Sequence, residues 1–355
     1  MKQVEFINML SLSIIIPIYN VEKYVHSCLE SIFRQDMADE TFEVILVNDG
    51  TPDKSMEMIS DIIEAHHNIM IIEQQNQGLS VARNNGMQKA TGEYLIFVDS
   101  DDMLIDNCLS PLLKKAIESK VDLLIADYCE IDKNGICNQS QHIDPADIMN
   151  ATEKTGEESF LKDLSPYDCH VWHNIYRKKF LVDNKIEFTP DIIFEDIPFT
   201  HECYIKAKKC LKLNCPMYLY RKGHAQSITS KFTKKSGMDF GTAIAKTWEL
   251  TYTKGLSPKV IFKLKDNVFT CFSHMIYCII HNIPNHKDGI DIISHFKQTS
   301  PNIHFVNSIK QRFVDFMIWE MPHLYISLRY FYAGILEEHS RTLKNSFQND
   351  NNNLC

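Results

Sequence analysis

The sequence predicts an α/β protein with a doubly wound, mostly parallel sheet, followed by a mainly helical C-terminal module. Short apolar runs alternate with helical patterns through the first 130 residues, and these runs are apolar on both faces. Strands of that kind are buried on both sides, as in a parallel sheet covered by helices. After about Lys231 the spacing of apolar residues is helical almost throughout, which predicts the helical module.

The elements follow in order along the chain. Five apolar runs predict strands: Leu12–Ile18, Phe42–Val47, Ile69–Ile72, Tyr94–Val98 and Val121–Ala126. Four stretches with apolar residues at helical spacing predict the helices between them: Glu22–Arg34, Pro52–Ala65, Ser80–Lys89 and Cys108–Ser119. Asp132–Gly135 predicts a hairpin turn. Two further strands are expected around a helix that begins near Glu195: Val171–Tyr176 and Leu211–Tyr220.

The composition is that of a globular protein, with 355 residues, 44% hydrophobic and 23% charged. There is no strongly apolar stretch of about 18 residues, so we expect no membrane-spanning helix. The N-terminus lacks the pattern of a secretion signal, and eleven scattered cysteines without a CxxC pair favour reduced thiols. We therefore expect a cytoplasmic protein.

Charge is distributed unevenly along the chain. Residues 1–120 contain 9 Lys/Arg against 19 Asp/Glu, whereas residues 204–355 contain 21 against 10. A basic module suits the anionic surface of a membrane. The alternative is that the basic and acidic regions face each other within the protein.

Three aspartates occur within four residues directly after a predicted strand, at Asp99, Asp101 and Asp102. Their carboxylates repel one another unless a cation lies among them. Oxygen ligands of this kind suit magnesium or manganese bridging to substrate phosphates. Helix capping, the alternative, explains one aspartate more readily than three.

Other polar residues lie at the ends of predicted elements. Tyr19, after Pro17 in the first strand, offers a flat face for a nucleotide base, and Asp49 offers an acceptor for a base N–H. Arg83 is expected in the first turn of a helix, where the helix dipole disfavours a cation unless an anion such as a diphosphate compensates. Turn chemistry explains Asp49 equally well, and Arg83 could be an ordinary solvated arginine.

Two further positions are candidates for chemistry. Asp196, beside Glu195 and before Pro198, lies at a predicted helix start and could act as a general base for an acceptor hydroxyl. Capping of that helix is the alternative role. His224, in the basic string Tyr220-Arg221-Lys222-Gly223-His224, could bind a metal or a phosphate, although a lone histidine is more often structural.

Taken in order, these residues resemble the family 2 glycosyltransferases with the glycosyltransferase-A fold. The matching strings are LSIIIPIYNVEKYVHSCLESI, VILVNDGTPDKS, NQGLSVARNNG, GEYLIFVDSDD, NIYRKKFL, FEDIPFT and the weaker YRKGHAQSITS. The resemblance covers about residues 11–230. It implies a catalytic domain at 1–230, with a nucleotide-sugar half at 11–130 and an acceptor half at 131–230. Residues 231–355 would form the helical basic module.

The resemblance also implies roles for individual residues. It implies that Asp196 is the catalytic base and that Asp101 and His224 bind a Mn or Mg cation. It further implies that five residues bind the donor: Pro17, Tyr19, Asp49, Arg83 and Asp99. Among them, Tyr19 and Asp49 would hold uracil, Asp99 would bind the ribose side, and Arg83 would contact the nucleotide or its phosphates.

The implied activity is the inverting transfer of one sugar from a UDP-sugar to a glycan acceptor, as in capsule, O-antigen or exopolysaccharide assembly. The QxxRW string of processive members is absent, which favours transfer of a single sugar. A lipid-linked acceptor, peripheral membrane contact through 231–355 at the inner face of the membrane, and a homo-oligomer remain open; no nucleic-acid partner is expected. A sugar nucleotidyltransferase and a non-catalytic binding module are the alternatives, although Pro17–Glu22 lacks the glycine-rich phosphate loop of the former.

Overall fold

The computed structural model describes residues 10–223 and 231–333. Within them, nine strands form one sheet: β1 (Leu12–Ile18), β2 (Phe42–Asn48), β3 (Ile69–Glu73), β4 (Tyr94–Phe97), β5 (Met103–Leu104), β6 (Leu123–Ile131), β7 (Glu153–Lys154), β8 (Asn174–Arg177) and β9 (Cys210–Arg221). The helices of the same half are α1 (Val25–Phe33), α2 (Ser60–Ala65), α3 (Leu79–Lys89), α4 (Leu109–Ser119), α5 (Pro145–Asn150), α6 (Gly156–Lys162), α7 (Lys178–Asn184) and α8 (Asp196–Lys206).

The sheet has the strand order β3-β2-β1-β4-β8-β6-β9-β5, and β7 pairs with β9. Strands β3, β2, β1 and β4 pair parallel with one another, and β6 pairs parallel with β9. Strand β8 pairs antiparallel with both β4 and β6, and β5 and β7 pair antiparallel with β9. In the first pair Ile18 lies opposite Asn48, so the carboxyl ends of β1 and β2 meet at the same edge. The predicted α/β fold is confirmed.

Close contact between α3 and β1 depends on Gly86. A side-chain carbon at this position would lie 2.4 Å from the Ile15 side chain, so a larger residue would push the helix off the sheet. On the other face, Ile14 and Ile16 belong to the same buried cluster as Leu29 and Ile32 of α1. Helices therefore cover both faces of β1, which is fully buried along its length.

Several elements differ from the sequence prediction. Strand β3 was expected to be covered on both faces, but it is an edge strand in which Met70 and Ile71 are exposed. Helix α2 begins at Ser60 instead of Pro52, because Asp53 accepts hydrogen bonds from the Thr51 and Ser55 hydroxyls and holds this segment in a turn. The short strands β5 and β7 were not predicted.

The chain divides into two compact units. Among the described residues, 10–223 and 252–263 belong to the first unit, which contains the whole sheet, and 231–251 and 264–333 belong to the second. The predicted boundary at residue 231 remains a prediction, since the segment Tyr252–Lys263 is grouped with the first unit.

The helices after the sheet are α9 (Lys234–Glu249), α10 (Pro258–Asn282), α11 (His286–Thr299) and α12 (Ile309–Glu320), and residues 322–333 are also helical. Within the second unit, Gly237 and Gly241 of α9 face Ile292 and Phe296 of α11. Phe272 of α10 packs on Phe296 with ring centroids 5.2 Å apart. In the part of the chain that the structure describes, no helix has the length and apolar character needed to cross a membrane.

Candidate active site

The carboxyl ends of β1 and β2 form the first wall of the candidate site. Pro17 lies in β1 opposite Val47 of β2, and Tyr19 follows with 48% of its surface exposed. Asn20 has a positive φ of 56°, a conformation that costs free energy for a residue with a side chain. Its backbone N–H donates to Thr51 Oγ1 at 2.8 Å. The chain is thus turned sharply just after Tyr19, whose ring stays open to solvent.

Asp49 is buried at the end of β2 and organises the loop that leads into α3. Its carboxylate accepts hydrogen bonds from the Gln74 side chain at 2.7 Å and from the backbone N–H groups of Gln77 and Gly78 at 2.8 and 2.9 Å. A carboxylate has about four lone-pair positions. Three are occupied here, so one position remains for the base N–H that the resemblance assigns to Asp49.

Arg83 is buried, with 1% of its surface exposed, and is enclosed by three carboxyl groups. Its Nη1 donates to Glu195 Oε1 at 2.5 Å and to Asp196 Oδ1 at 2.9 Å, and its Nη2 donates to Asp99 Oδ1 at 2.7 Å. The expectation that Arg83 lies in the first turn is wrong, because it is the fifth residue of α3. The compensating anions in this structure are protein carboxylates, and contact with a diphosphate remains a prediction.

The acidic loop after β4 is fixed by residues of β9. The backbone N–H of Asp99 donates to the Tyr218 hydroxyl at 2.9 Å. The Arg221 N–H donates to Asp102 Oδ1 at 2.7 Å, and its Nε donates to the backbone carbonyl of Asp101 at 2.8 Å. Arg221 therefore sets the conformation of both acidic residues that end the loop.

Two aspartates of this loop have raised pKa values. Burial raises the pKa of Asp102 well above its usual value, and the charges of Asp101 and Asp99 raise it further. The pKa of Asp99 is also raised, by burial first, with Arg83 opposing and Asp101 adding to the effect. Such carboxyl groups share a site at lower free energy when a cation is bound among them.

A divalent cation fits this donor set as a shared ligand of protein and substrate. Within residues 10–223 and 231–333, no group of three His, Cys, Asp or Glu side chains is arranged to hold a metal ion by itself. Magnesium and manganese commonly use only one or two carboxylates together with substrate phosphates. Asp101 is the residue of this loop that the resemblance assigns to the cation, and this role remains a prediction. His224 lies outside the described residues.

The start of α8 lies opposite the acidic loop. Asp196 is the first residue of the helix and Glu195 precedes it, as predicted, but no side chain caps this end with a hydrogen bond. Phe194 has a φ of 69°, so the approach to the helix is held in a strained conformation. Besides Arg83, Asp196 accepts the backbone N–H of Val171 on Oδ2 at 3.4 Å. Capping therefore does not account for these two acids.

Glu195, the acid that precedes Asp196, has a pKa well above its usual value. Burial raises the pKa of Glu195 to about 8, the adjacent charge of Asp196 adds to this shift, and Arg83 opposes it.

A comparison with protein families identifies the family of the domain that contains this site. The sequence model of "Glycosyl transferase family 2" matches residues 13–182, which contain the acidic loop and every predicted donor residue. The chain carries a family 2 glycosyltransferase domain. Its sheet is of the glycosyltransferase-A type, which confirms the resemblance drawn from the motifs.

Relatives with this domain come from several bacteria. The chain is 32% identical over 228 residues to "Uncharacterized glycosyltransferase EpsJ" of Bacillus subtilis, covering 64% of this chain and 65% of that protein. It is 31% identical over 216 residues to "Glycosyltransferase GlyA" of Streptococcus pneumoniae, covering 59% and 30%. The chain thus covers less than two thirds of the length of each of these relatives.

A solved structure shares the fold of the glycosyltransferase. The crystal structure of S. aureus TarS 1-349 in complex with UDP-GlcNAc superposes with a TM-score of 0.68 at 24% identity, covering 82% of both chains. This similarity includes the sheet and extends beyond residues 13–182. At this identity it establishes the fold.

Three residues of the glycosyltransferase site were not assigned from sequence. Glu195 was noted only as a neighbour of Asp196. It is buried against Arg83, which lies 112 residues away in the sequence, and spacing along the chain does not reveal such a contact. Tyr218 and Arg221 lie in β9, where an apolar run and a basic string gave no sign that they hold the acidic loop. The alternation of Tyr218 and Tyr220 on one face of a strand was the available signal.

Proposed function

We propose that this chain is an inverting glycosyltransferase that transfers a single sugar from a nucleoside-diphosphate sugar, in the first instance a UDP-sugar, to a hydroxyl of a glycan acceptor. The observation that carries the proposal is that one guanidinium binds both Asp99 and Asp196, at 2.7 and 2.9 Å. The donor-side acid and the acceptor-side acid therefore face a common space, as a direct displacement between donor and acceptor requires.

The chemistry needs one proton acceptor and an orienting frame. Asp196 is placed to take the proton of the acceptor hydroxyl as that oxygen attacks the anomeric carbon from the face opposite the leaving diphosphate. Arg83 and the Val171 N–H fix the orientation of Asp196. Tyr19 and Asp49 bind the base at the other end of the donor, which positions the anomeric carbon relative to Asp196. This single step inverts the configuration of the sugar.

Asp101 would hold a Mn or Mg ion together with the donor phosphates, and Arg221 keeps its backbone in place. When bound, such an ion supplies positive charge that stabilises the diphosphate as it leaves. The biological setting we propose is assembly of a bacterial capsule, O-antigen or exopolysaccharide. It rests on the family resemblance and on relatives from bacteria.

Removal of the Asp101 carboxylate tests the proposal. The full chain is mixed with UDP-GlcNAc, the ligand of the TarS structure, and with MnCl2, and released UDP is measured. We expect slow Mn-dependent release of UDP and no pyrophosphate. Asp101→Ala should abolish Mn-dependent UDP binding in calorimetry while the circular dichroism spectrum stays unchanged.

Asp106→Ala is the matched control, because Asp106 is an exposed aspartate close in sequence whose carboxylate pairs with Arg34 at the surface. Its UDP affinity should equal that of the wild type. Unchanged affinity in Asp101→Ala would remove Asp101 from the cation site. Release of pyrophosphate would favour a nucleotidyltransferase, and no reaction with any UDP- or GDP-sugar would favour a binding module.

We also propose that the second unit contacts an anionic membrane through α12. Ile309, Phe313 and Phe316 are spaced at i, i+4 and i+7, so they share one helix face, and their exposed fractions are 89%, 62% and 52%. Arg312 lies on the same helix, and Ile318 on the opposite face is fully buried. By contrast, Tyr325 in the helical segment that follows α12 is buried.

Co-sedimentation with vesicles containing phosphatidylserine tests this surface. We expect salt-sensitive binding of the full chain, because each basic residue near the surface contributes about 1 kcal/mol at low salt. The double variant Phe313→Ser/Phe316→Ser should stay in the supernatant, while Phe262→Ser, a change of another exposed aromatic, should still sediment. A concentration-dependent dimer in size-exclusion chromatography, with no vesicle binding, would instead assign the face to a homo-oligomer.

A further inference from the structure

A group of aromatic side chains lies on one face of the sheet between β6 and β9. In the register of these strands, Tyr128 lies opposite Tyr218 and Glu130 lies opposite Tyr220. Residues two apart on a strand point to the same face. The face therefore carries three tyrosines side by side, with Glu130 at its edge.

The segment before β8 adds two more rings to this face. Trp172 stacks on Tyr218 with centroids 4.3 Å apart and planes inclined by 15°, and it also stacks on Tyr220 at 5.3 Å and 23°. His170 stacks on Trp172 at 4.6 Å and 11°. Tyr128 meets Trp172 edge-on at 4.9 Å. We call these five rings, Tyr128, His170, Trp172, Tyr218 and Tyr220, the ring platform.

The ring platform is attached to both acids of the reaction. Val171, between two of its rings, donates its N–H to Asp196 Oδ2. The Tyr218 hydroxyl accepts the N–H of Asp99. An acceptor must reach the base while facing the donor, so the platform borders the path by which it approaches.

Polar atoms without partners lie at the edge of the platform. Asp168 Oδ1 and His173 Nδ1 are buried, have no hydrogen-bond partner, and lie 3.9 Å apart. His170 Nε2 is 3.8 Å from the same Asp168 oxygen. His173 is 4% exposed, whereas 44% of the Asp168 side chain and 32% of the His170 side chain are exposed. The edge therefore holds two buried polar atoms that the protein does not satisfy, beside the partly exposed side chains of Asp168 and His170.

The charges around the platform disfavour an anionic ligand. Lys212 pairs with Asp127, and Lys222 pairs with Glu130. Among the described residues at this edge, Asp168 adds a carboxyl group that has no lysine or arginine within ion-pair distance. A phosphate placed here would meet compensated lysines and an acidic side chain.

We propose that the ring platform is the acceptor subsite and that it takes a neutral pyranose ring. The face of C–H bonds of a pyranose packs on the partly exposed rings of His170, Tyr128 and Tyr220, and its hydroxyls reach the partly exposed side chains of Asp168 and His170. The proposal rests on the proposed function and adds the class of acceptor. A glycan that presents a polyol phosphate or sugar phosphate at this position is excluded.

Saturation-transfer NMR tests the subsite with the full chain, UDP and MgCl2, because Mg is diamagnetic. The probes are methyl β-glucopyranoside, methyl β-galactopyranoside, methyl N-acetyl-β-glucosaminide and glycerol 3-phosphate. We expect transfer to ring protons of at least one pyranoside and none to glycerol 3-phosphate. His170→Ala should bind that pyranoside about fivefold more weakly, as expected for loss of one ring contact. His142→Ala, the matched control at an exposed histidine of the same unit, should bind it as the wild type does.

Three outcomes would overturn the subsite: no pyranoside binds the wild type, glycerol 3-phosphate binds in preference, or His170→Ala binds as tightly as His142→Ala. UDP affinity, measured by calorimetry on the same samples, reports the donor site separately. If the wild type did not bind UDP, the proposed function would be contradicted. Loss of pyranoside binding alone would contradict only the acceptor subsite.

Discussion

Asp196→Asn is expected to reduce sugar transfer by about 10²–10⁴-fold, the usual effect of losing a general base. Asparagine keeps the size of the side chain and can still accept from Arg83 through its carbonyl oxygen, but it cannot take the acceptor proton. The start of α8 should therefore keep its structure. The measurement is initial-rate kinetics of UDP release with a sugar acceptor, together with UDP affinity, which should stay near the wild-type value.

Glu195→Gln is the matched control, an amide replacement of the neighbouring acid that also binds Arg83. Because the folded protein holds Glu195 protonated to a pKa of about 8, against 4.5 for the ordinary group, the folded state binds more protons than the unfolded state between these values. The free energy of unfolding of the wild type should thus fall as pH rises from about 4.5 to about 8. Glu195→Gln should flatten that slope. Near-normal turnover in Asp196→Asn would return Asp196 to a structural role at the helix start.

Arg83→Met is expected to destabilise the fold by about 3–5 kcal/mol, because it leaves buried carboxyl groups without their cation. Asp99, Glu195 and Asp196 would then repel one another. The pKa values of Asp99 and Glu195 in the folded state, which Arg83 lowers, should rise further, so the folded state should take up protons. The loss of stability should therefore be smaller at pH 5 than at pH 8. Urea denaturation at the two pH values measures this difference.

Arg34→Met is the control for removing an arginine. Arg34 pairs with Asp106 at the surface with 46% of its side chain exposed, and exposed pairs contribute about 0–1 kcal/mol. Arg83→Lys should give an intermediate loss, because one ammonium group cannot bind carboxylates in the fork geometry of arginine. If Arg83→Met were as stable as Arg34→Met, the carboxyl groups would not depend on this cation. A separate fall in UDP affinity in Arg83→Lys would support the implied contact with the donor.

The strands of the first half were predictable because their pattern is local. Strand β1 begins and ends where its apolar run does, and β2 extends one residue beyond the prediction. Strand β8 was predicted at Val171–Tyr176 but spans Asn174–Arg177. Val171 and Trp172 are buried although they precede the strand, and Trp172 stacks on Tyr218. Their apolar character therefore extended the predicted strand beyond its observed start.

The site was predictable as a set of chemically capable residues and not as a set of contacts. Motif order brought Asp99, Asp101 and Asp196 forward as candidates. The bonds of Arg83 to residues 112 and 113 positions away depend on how α3 meets α8. The spacing of residues within either segment gives no information about how the two helices pack together. The burial that raises the pKa of Glu195 could not be inferred for the same reason.

The hydrogen bonds of Arg83 to three carboxyl groups limit which segments of this chain can be exchanged with those of its relatives. A segment exchange that replaces the acceptor half would import a new α8 entrance while keeping the native α3. The imported segment would then have to place two acids within hydrogen-bond distance of the native Arg83, as Glu195 and Asp196 are here. A functional chimera should therefore take the NQGLSVARNNG string and the FEDIPFT string from the same protein. The two halves of the catalytic domain cannot then be exchanged independently.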